Sequence, residues 1–176
     1  MKINYIKSNF VTSPPCSDFI KTFFVINNNV RIGKFDQFKK LTVTLMRKDF
    51  TFVNVTGAKN LSTVKLFHDF YTKLSDTSII SDLKIDSICA THKFFKTSSI
   101  SFKDFRKKLN ILNLTVKDNS KFPGVVIRNV DSRKGGCAVY FRSGSVNFIG
   151  FKHIHFIQQI KQKIQQSLYP KDGDML

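Results

Sequence analysis

Residues 51–59 read TFVNVTGAK, and residues 144–152 read GSVNFIGFK. Aligned on their glycines the two nonamers stand 93 positions apart (150 − 57), sharing Val-Asn, an apolar residue, Thr or Ile, Gly, any residue and Lys. The likeness runs on past the lysines. NLSTVKLFHDFYTKL carries Val64, Phe67, Tyr71 and Leu74 at helical spacing, and HIHFIQQIKQKIQQSL does the same with Ile157, Ile160, Ile164 and Leu168. Val64 matches Ile157, Phe67 matches Ile160 and Tyr71 matches Ile164 at the same offset. Each copy therefore reads as a strand, a glycine and an amphipathic helix that folds back on the strand.

Upstream of each nonamer lies a further strand. KLTVTLM alternates Leu41, Val43 and Leu45 with Thr42, Thr44 and Met46, the period of a half-buried strand. CAVYFRSGSVNF reads as two strands joined by a turn at Ser143-Gly144. Before it come a strand in FPGVVIR (122–128) and a short helix in SFKDFRKKL, with Phe102, Phe105 and Leu109 on one side. Repeat one has a shorter counterpart, SDFIKTFFV, ahead of an Asn-rich turn at 27–29. SDTSIISD (75–82) reads as the linker between halves, and the turn-formers of YPKDGDML as a frayed tail. The expected domain is 1–168, made of repeat one (about 1–75) and repeat two (about 82–168), with 169–176 as a flexible tail.

This order predicts an α+β fold: two pseudo-symmetric repeats sharing one antiparallel sheet with helices on a single face. The other face is then free. Val53, Val55, Val146 and Phe148 take the helix side by parity, which turns Asn54, Thr56, Asn147 and Ile149 to the open face.

Bulk chemistry narrows the function. The 176 residues are 41% hydrophobic and 13% aromatic, enough to build a core. Lys and Arg total 29 against 12 acids, a formal charge of +17, which favours a polyanionic partner because neutralised phosphates release counterions. All 12 acids are Asp. Without Glu there is no HExxH zincin and no Glu-dependent deaminase. Cys16, Cys89 and Cys137 are odd in number and far apart, so neither a disulfide framework nor a zinc ribbon is written; no metal or cofactor is expected. His153-x-His155 lacks a visible third ligand and reads as the exposed start of a helix. RKGG (133–136) lacks the strand–helix context of a phosphate loop and reads as a turn. The start MKINYIKSNF has no apolar signal core, and an intracellular protein is expected.

The second half carries a more specific pattern: FPGVVIR at 122–128, AVYFRSG at 138–144 and SVNFIGFK at 145–152. The first half keeps TGAK at 56–59, and KSNFVTS (7–13) and KIDSICAT (84–91) open the two halves. Over roughly residues 5–168 this resembles the TATA-box-binding protein family. The resemblance implies a curved antiparallel sheet, a saddle, with helices on the convex face and the DNA minor groove against the concave one. Phe122 and Phe141 then match the pair of phenylalanines that wedge between base steps, and Val139 shares the open-face parity of Phe141. In repeat one, strand parity puts Met46 at the matching strand end, with Lys48, Phe50 and Phe24 as competitors. Asn9 matches the family's central asparagine, with Ser87 as its counterpart in repeat two. Lys59, Lys152 and Arg128 match phosphate contacts, which fix orientation without reading sequence.

Asn54 and Asn147 stand where the family generally has Val. Their amides can meet A·T acceptors or accept from a guanine amine, so weaker A·T discrimination is expected. The implied partners are double-stranded A/T-rich promoter DNA, a transcription factor IIB-like factor and RNA polymerase machinery, in a nucleus or a cytoplasmic viral factory. The family's acidic stirrup reads KDNSK here (117–121), of net positive charge, so the contact with the IIB-like factor differs. The expected activity is promoter recognition and bending without catalysis; the alternative is architectural DNA binding without promoter selection.

Overall fold

A computed structural model describes residues 1–27, 30–33, 35–47, 50–94, 101–117, 123–129 and 135–169. Phe122, Lys48, residues 118–121 and 133–134 and the tail from 170 onward lie outside the described residues. The chain runs β1 (Lys2–Thr12), α1 (Ser17–Phe23), β2 (Phe24–Asn27), β3 (Val30–Gly33), a 3-10 turn (Asp36–Phe38), β4 (Thr42–Arg47), β5 (Thr51–Ala58) and α2 (Leu61–Ser75). It continues with β6 (Ile79–Lys93), α3 (Phe102–Ile111), β7 (Leu114–Lys117), β8 (Gly124–Asn129), β9 (Cys137–Phe141), β10 (Ser145–Phe151) and α4 (Ile154–Leu168). The fold class is α+β. The long helices are each fifteen residues and begin 93 positions apart (154 − 61), the offset of the nonamers.

Two compact units divide the chain: Ile3–Ser87, and Met1–Lys2 with Ile88–Leu176. The division falls inside β6, so 75–82 is not a linker. α2 ends at Ser75, Asp76 turns the chain with φ 49°, and β6 has begun by Ile79. The entry to β6 is held by the Ser13 amide donating to the Ser78 carbonyl (2.9 Å) and the Ser78 amide donating to Ser13 Oγ (3.0 Å).

In the repeat-one unit the strand order is β2-β3-β4-β5-β1, each neighbouring pair antiparallel. Phe10, Val43, Leu45, Val53 and Val55 point to one side, where Phe19 and Ile20 of α1 and Phe67 and Tyr71 of α2 meet them. Several of these contacts are edge-to-face rings, such as Phe10 with Tyr71 at 5.5 Å and Phe35 with Phe67 at 5.2 Å, a favoured aromatic geometry. Leu74 is 42% exposed, against the helical reading. The buried stripe runs Val64, Phe67, Tyr71, Ser75, and in the last turn Ser75 fills it with its hydroxyl bonded to the Tyr71 carbonyl (2.7 Å).

The repeat-two unit orders its strands β6-β10-β9-β8-β7, again antiparallel. α4 buries Ile157, Ile160, Ile164 and Leu168, and α3 buries Phe105 and Leu109, with Phe105 set 4.8 Å from the Tyr140 ring. Ser101 caps α3: its hydroxyl accepts from the Asp104 amide (3.1 Å) and donates to the Asp104 carboxylate (2.6 Å). Lys163 of α4 donates to the Leu112 carbonyl (2.7 Å), tying α4 to the end of α3.

The glycines of the nonamers explain why the motif recurs. The β1–β5 register shifts between Ile6 and Ser8, and the β10–β6 register shifts between Phe148 and Phe151. Gly57 (φ 96°) and Gly150 (φ 78°) lie within those shifts, in conformations that favour glycine. Each is a bulge that lets the strand turn Ala58 or Phe151 into the core while Lys59 and Lys152 emerge exposed. No helix among the described residues is long and apolar enough to cross a membrane.

Candidate nucleic-acid interface

In repeat one, the sheet face away from α1 and α2 is read from the strand register. Val25, Ile32, Thr44, Asn54 and Asn9 form one row across five strands. Val25 is exposed and the other four are half-buried. The adjacent row toward the β4–β5 hairpin is Met46, Phe52 and Val11; on the other side Thr42 faces Thr56. Thr56 Oγ1 donates to the Thr42 carbonyl (3.4 Å). Met46 and Phe52 stand directly opposite each other, 61% and 43% exposed.

The corresponding face of repeat two carries Thr91, Asn147, Val139, Val126 and Lys117 in one row. Phe141 lies opposite Gly124, and Ile149 lies opposite Cys137. Ile149 is 44% exposed, but Val139, between Asn147 and Val126, is only 7% exposed. Val139 thus forms floor beneath its neighbours rather than a protruding contact. Arg128 is exposed opposite Thr115 near the end of β8.

The register revises one pairing and supports another. Asn9 faces Asn54, and Thr91 faces the equivalent Asn147, so the counterpart of Asn9 is Thr91 rather than Ser87. The same offset of 82 (91 − 9) relates Ile6, opposite Ala58, to Ile88, opposite Phe151. Ser87 is half-buried in β6, four residues short of the equivalent position. Thr44 faces Asn54 as Val139 faces Asn147, and two residues further along each strand come Met46 and Phe141. Met46 is therefore the register equivalent of Phe141.

Phe24, a competing wedge by sequence, is 6% exposed and packs against Phe19 and Phe35 with ring centroids 5.9 and 5.6 Å away. It faces Gly33 on the core side of the sheet and cannot reach a ligand on the open side. Phe50 is 49% exposed beside the hairpin. Sequence reasoning passed over Phe52, although its parity opposite Val53 and Val55 was a sufficient signal.

Lysines line a cavity in each unit. The Lys59 ammonium donates to the Asn4 carbonyl and, with Lys39, Lys40 and the Asn60-capped start of α2, lines a cavity of about 480 Å³. Lys2, Lys93, Thr91 and Asn147 line another of about 490 Å³. His92 sits opposite Val146, its ring edge-on to Phe94 at 4.6 Å. Burial, then the Lys161 ammonium and the amino terminus, hold its imidazole below the ordinary value of 6.5. His153 and His155 lie 5.5 Å apart by ring centroid at the start of α4.

A solved structure of Methanococcus jannaschii TBP is similar to this chain with a TM-score of 0.65 and 18% identity. The match covers 95% of this chain and 97% of that one. No protein-family model matches the sequence. No curated protein matches it. The likeness at this identity is one of fold.

Proposed function

We propose that this chain binds double-stranded DNA along the minor groove with its helix-free sheet faces and bends it at A/T-rich promoters. It then presents its helices to a transcription factor IIB-like factor and RNA polymerase machinery, and it acts without catalysis or cofactor. One observation carries the reading: a TBP fold of charge +17 whose open faces combine small groove-sized side chains with apolar groups at the hairpin ends. Met46 and Phe52 stand at one hairpin and Phe141 at the other. Apolar groups so placed unstack a base step and kink the duplex, which brings more of the sheet into the groove. Asn9, Asn54, Thr56, Asn147 and Ile149 then form the groove floor. Lys59, Lys152 and Arg128 hold phosphates, Phe122 keeps the wedge role its place in the sequence implies, and Thr91, in place of Ser87, takes the central contact beside Asn147.

The half-buried Asn54 and Asn147 favour a second reading, architectural binding without promoter choice, because amides meet either base pair. Fluorescence energy transfer between end-labelled duplexes tests the main reading. The wild type should bend A·T-rich DNA, and Phe141→Ala should lose bending more than it loses retention. Undiminished bending by Phe141→Ala refutes the wedge. Equal affinity for A·T-rich and G·C-rich duplexes at one fixed salt concentration transfers the case to the architectural reading.

A further inference from the structure

Resting on the DNA-binding reading above, we infer that the two halves of the bound site obey different rules: the half under repeat one accepts G·C pairs, and the half under repeat two discriminates against them where Ile149 meets the groove. The strand registers make the two faces comparable position by position. Thr44 of repeat one corresponds to Val139 of repeat two, Thr42 to Cys137, and Thr56 to Ile149. At these three matched positions a hydroxyl in repeat one is replaced by an apolar or weakly polar side chain in repeat two. The two asparagines at the shared position cancel in the comparison, and the central position sets an amide, Asn9, against a hydroxyl, Thr91.

The minor groove turns this difference into selectivity. A·T pairs present only acceptors there, whereas a G·C pair adds the guanine exocyclic amine. A threonine hydroxyl donates to the acceptors of A·T or accepts from that amine, so the repeat-one face pairs with both. Val139 and Ile149 can do neither. Ile149 is 44% exposed on this face, so an amine pressed against it loses its water without gaining a partner there. The protein therefore also has a preferred direction on any site that is G·C-containing at one end only.

The experiment places a single G·C pair in each half of an A·T-rich duplex and measures competition at fixed salt. In one half the substitution should cost about tenfold in affinity and in the other less than about threefold. Replacing that guanine by inosine, which lacks the amine, should abolish the larger penalty. Ile149→Thr, a change at an exposed side chain, should shrink the larger penalty in the same half, which identifies that half as repeat two's. Equal penalties in both halves, or a strict half unmoved by Ile149→Thr, overturn the inference while binding and bending stand. Failure to retain any duplex overturns the DNA-binding reading and this inference with it.

Discussion

Replacing Gly57 or Gly150 by alanine makes the same chemical change at the same place in the two nonamers, yet the surroundings predict different costs. Both glycines hold positive φ, 96° and 78°, so a β-carbon brings backbone strain of about 1–2 kcal/mol at each. Beyond that the sites diverge. A β-carbon on Gly57 would sit 2.4 Å from the Lys40 carbonyl oxygen, a backbone atom that must shift to admit it. On Gly150 the nearest atom is the Gly136 α-carbon at 3.7 Å, an ordinary contact. Overpacking adds about 1–3 kcal/mol at Gly57 alone. Gly57→Ala should therefore lose about 2–5 kcal/mol in total and Gly150→Ala about 1–2 kcal/mol. Urea unfolding with a shared m value reads the difference directly, and each kcal/mol should lower Tm by about 2–4 °C. Equal losses for the two variants would refute the assignment of Gly57 to a close backbone crossing.

Three further outcomes are expected. Lys152→Ala should weaken binding to all duplexes alike and lower the salt-dependence slope by about 1. The folded His92 holds its proton less tightly than the unfolded chain does, so stability is intact above about pH 6.5 and falls as the pH drops through the lowered folded value. His92→Phe, which copies Phe10 at the equivalent place in repeat one, should flatten that acid-side loss in denaturation midpoints measured from pH 7.5 to 5. Phe52→Ala combined with Met46→Ala should reduce DNA bending while leaving the denaturant midpoint nearly unchanged, because both side chains are largely exposed; unaltered bending would remove them from the wedge.

The sequence by itself determined the repeat, its offset of 93 and the two long helices, because helical spacing and strand alternation are local signals. It also determined which side chains face away from the helices: Val53, Val55, Val146 and Phe148 are fully buried, and Asn54, Thr56, Asn147 and Ile149 are not. Register was another matter. Ser87 and Thr91 are four residues apart, an even slip along a strand of period two, so both satisfy the same alternation. Only the hydrogen bonds of β6 to β10 choose Thr91. Likewise Phe24 competes as a wedge in the sequence until its pairing with Gly33 turns it into the core. Val139 follows the open-face alternation yet is 7% exposed, so parity alone does not fix burial. Period decides faces, and faces are written locally; which residue meets which across a face depends on partners distant in the chain, and only tertiary pairing supplies them.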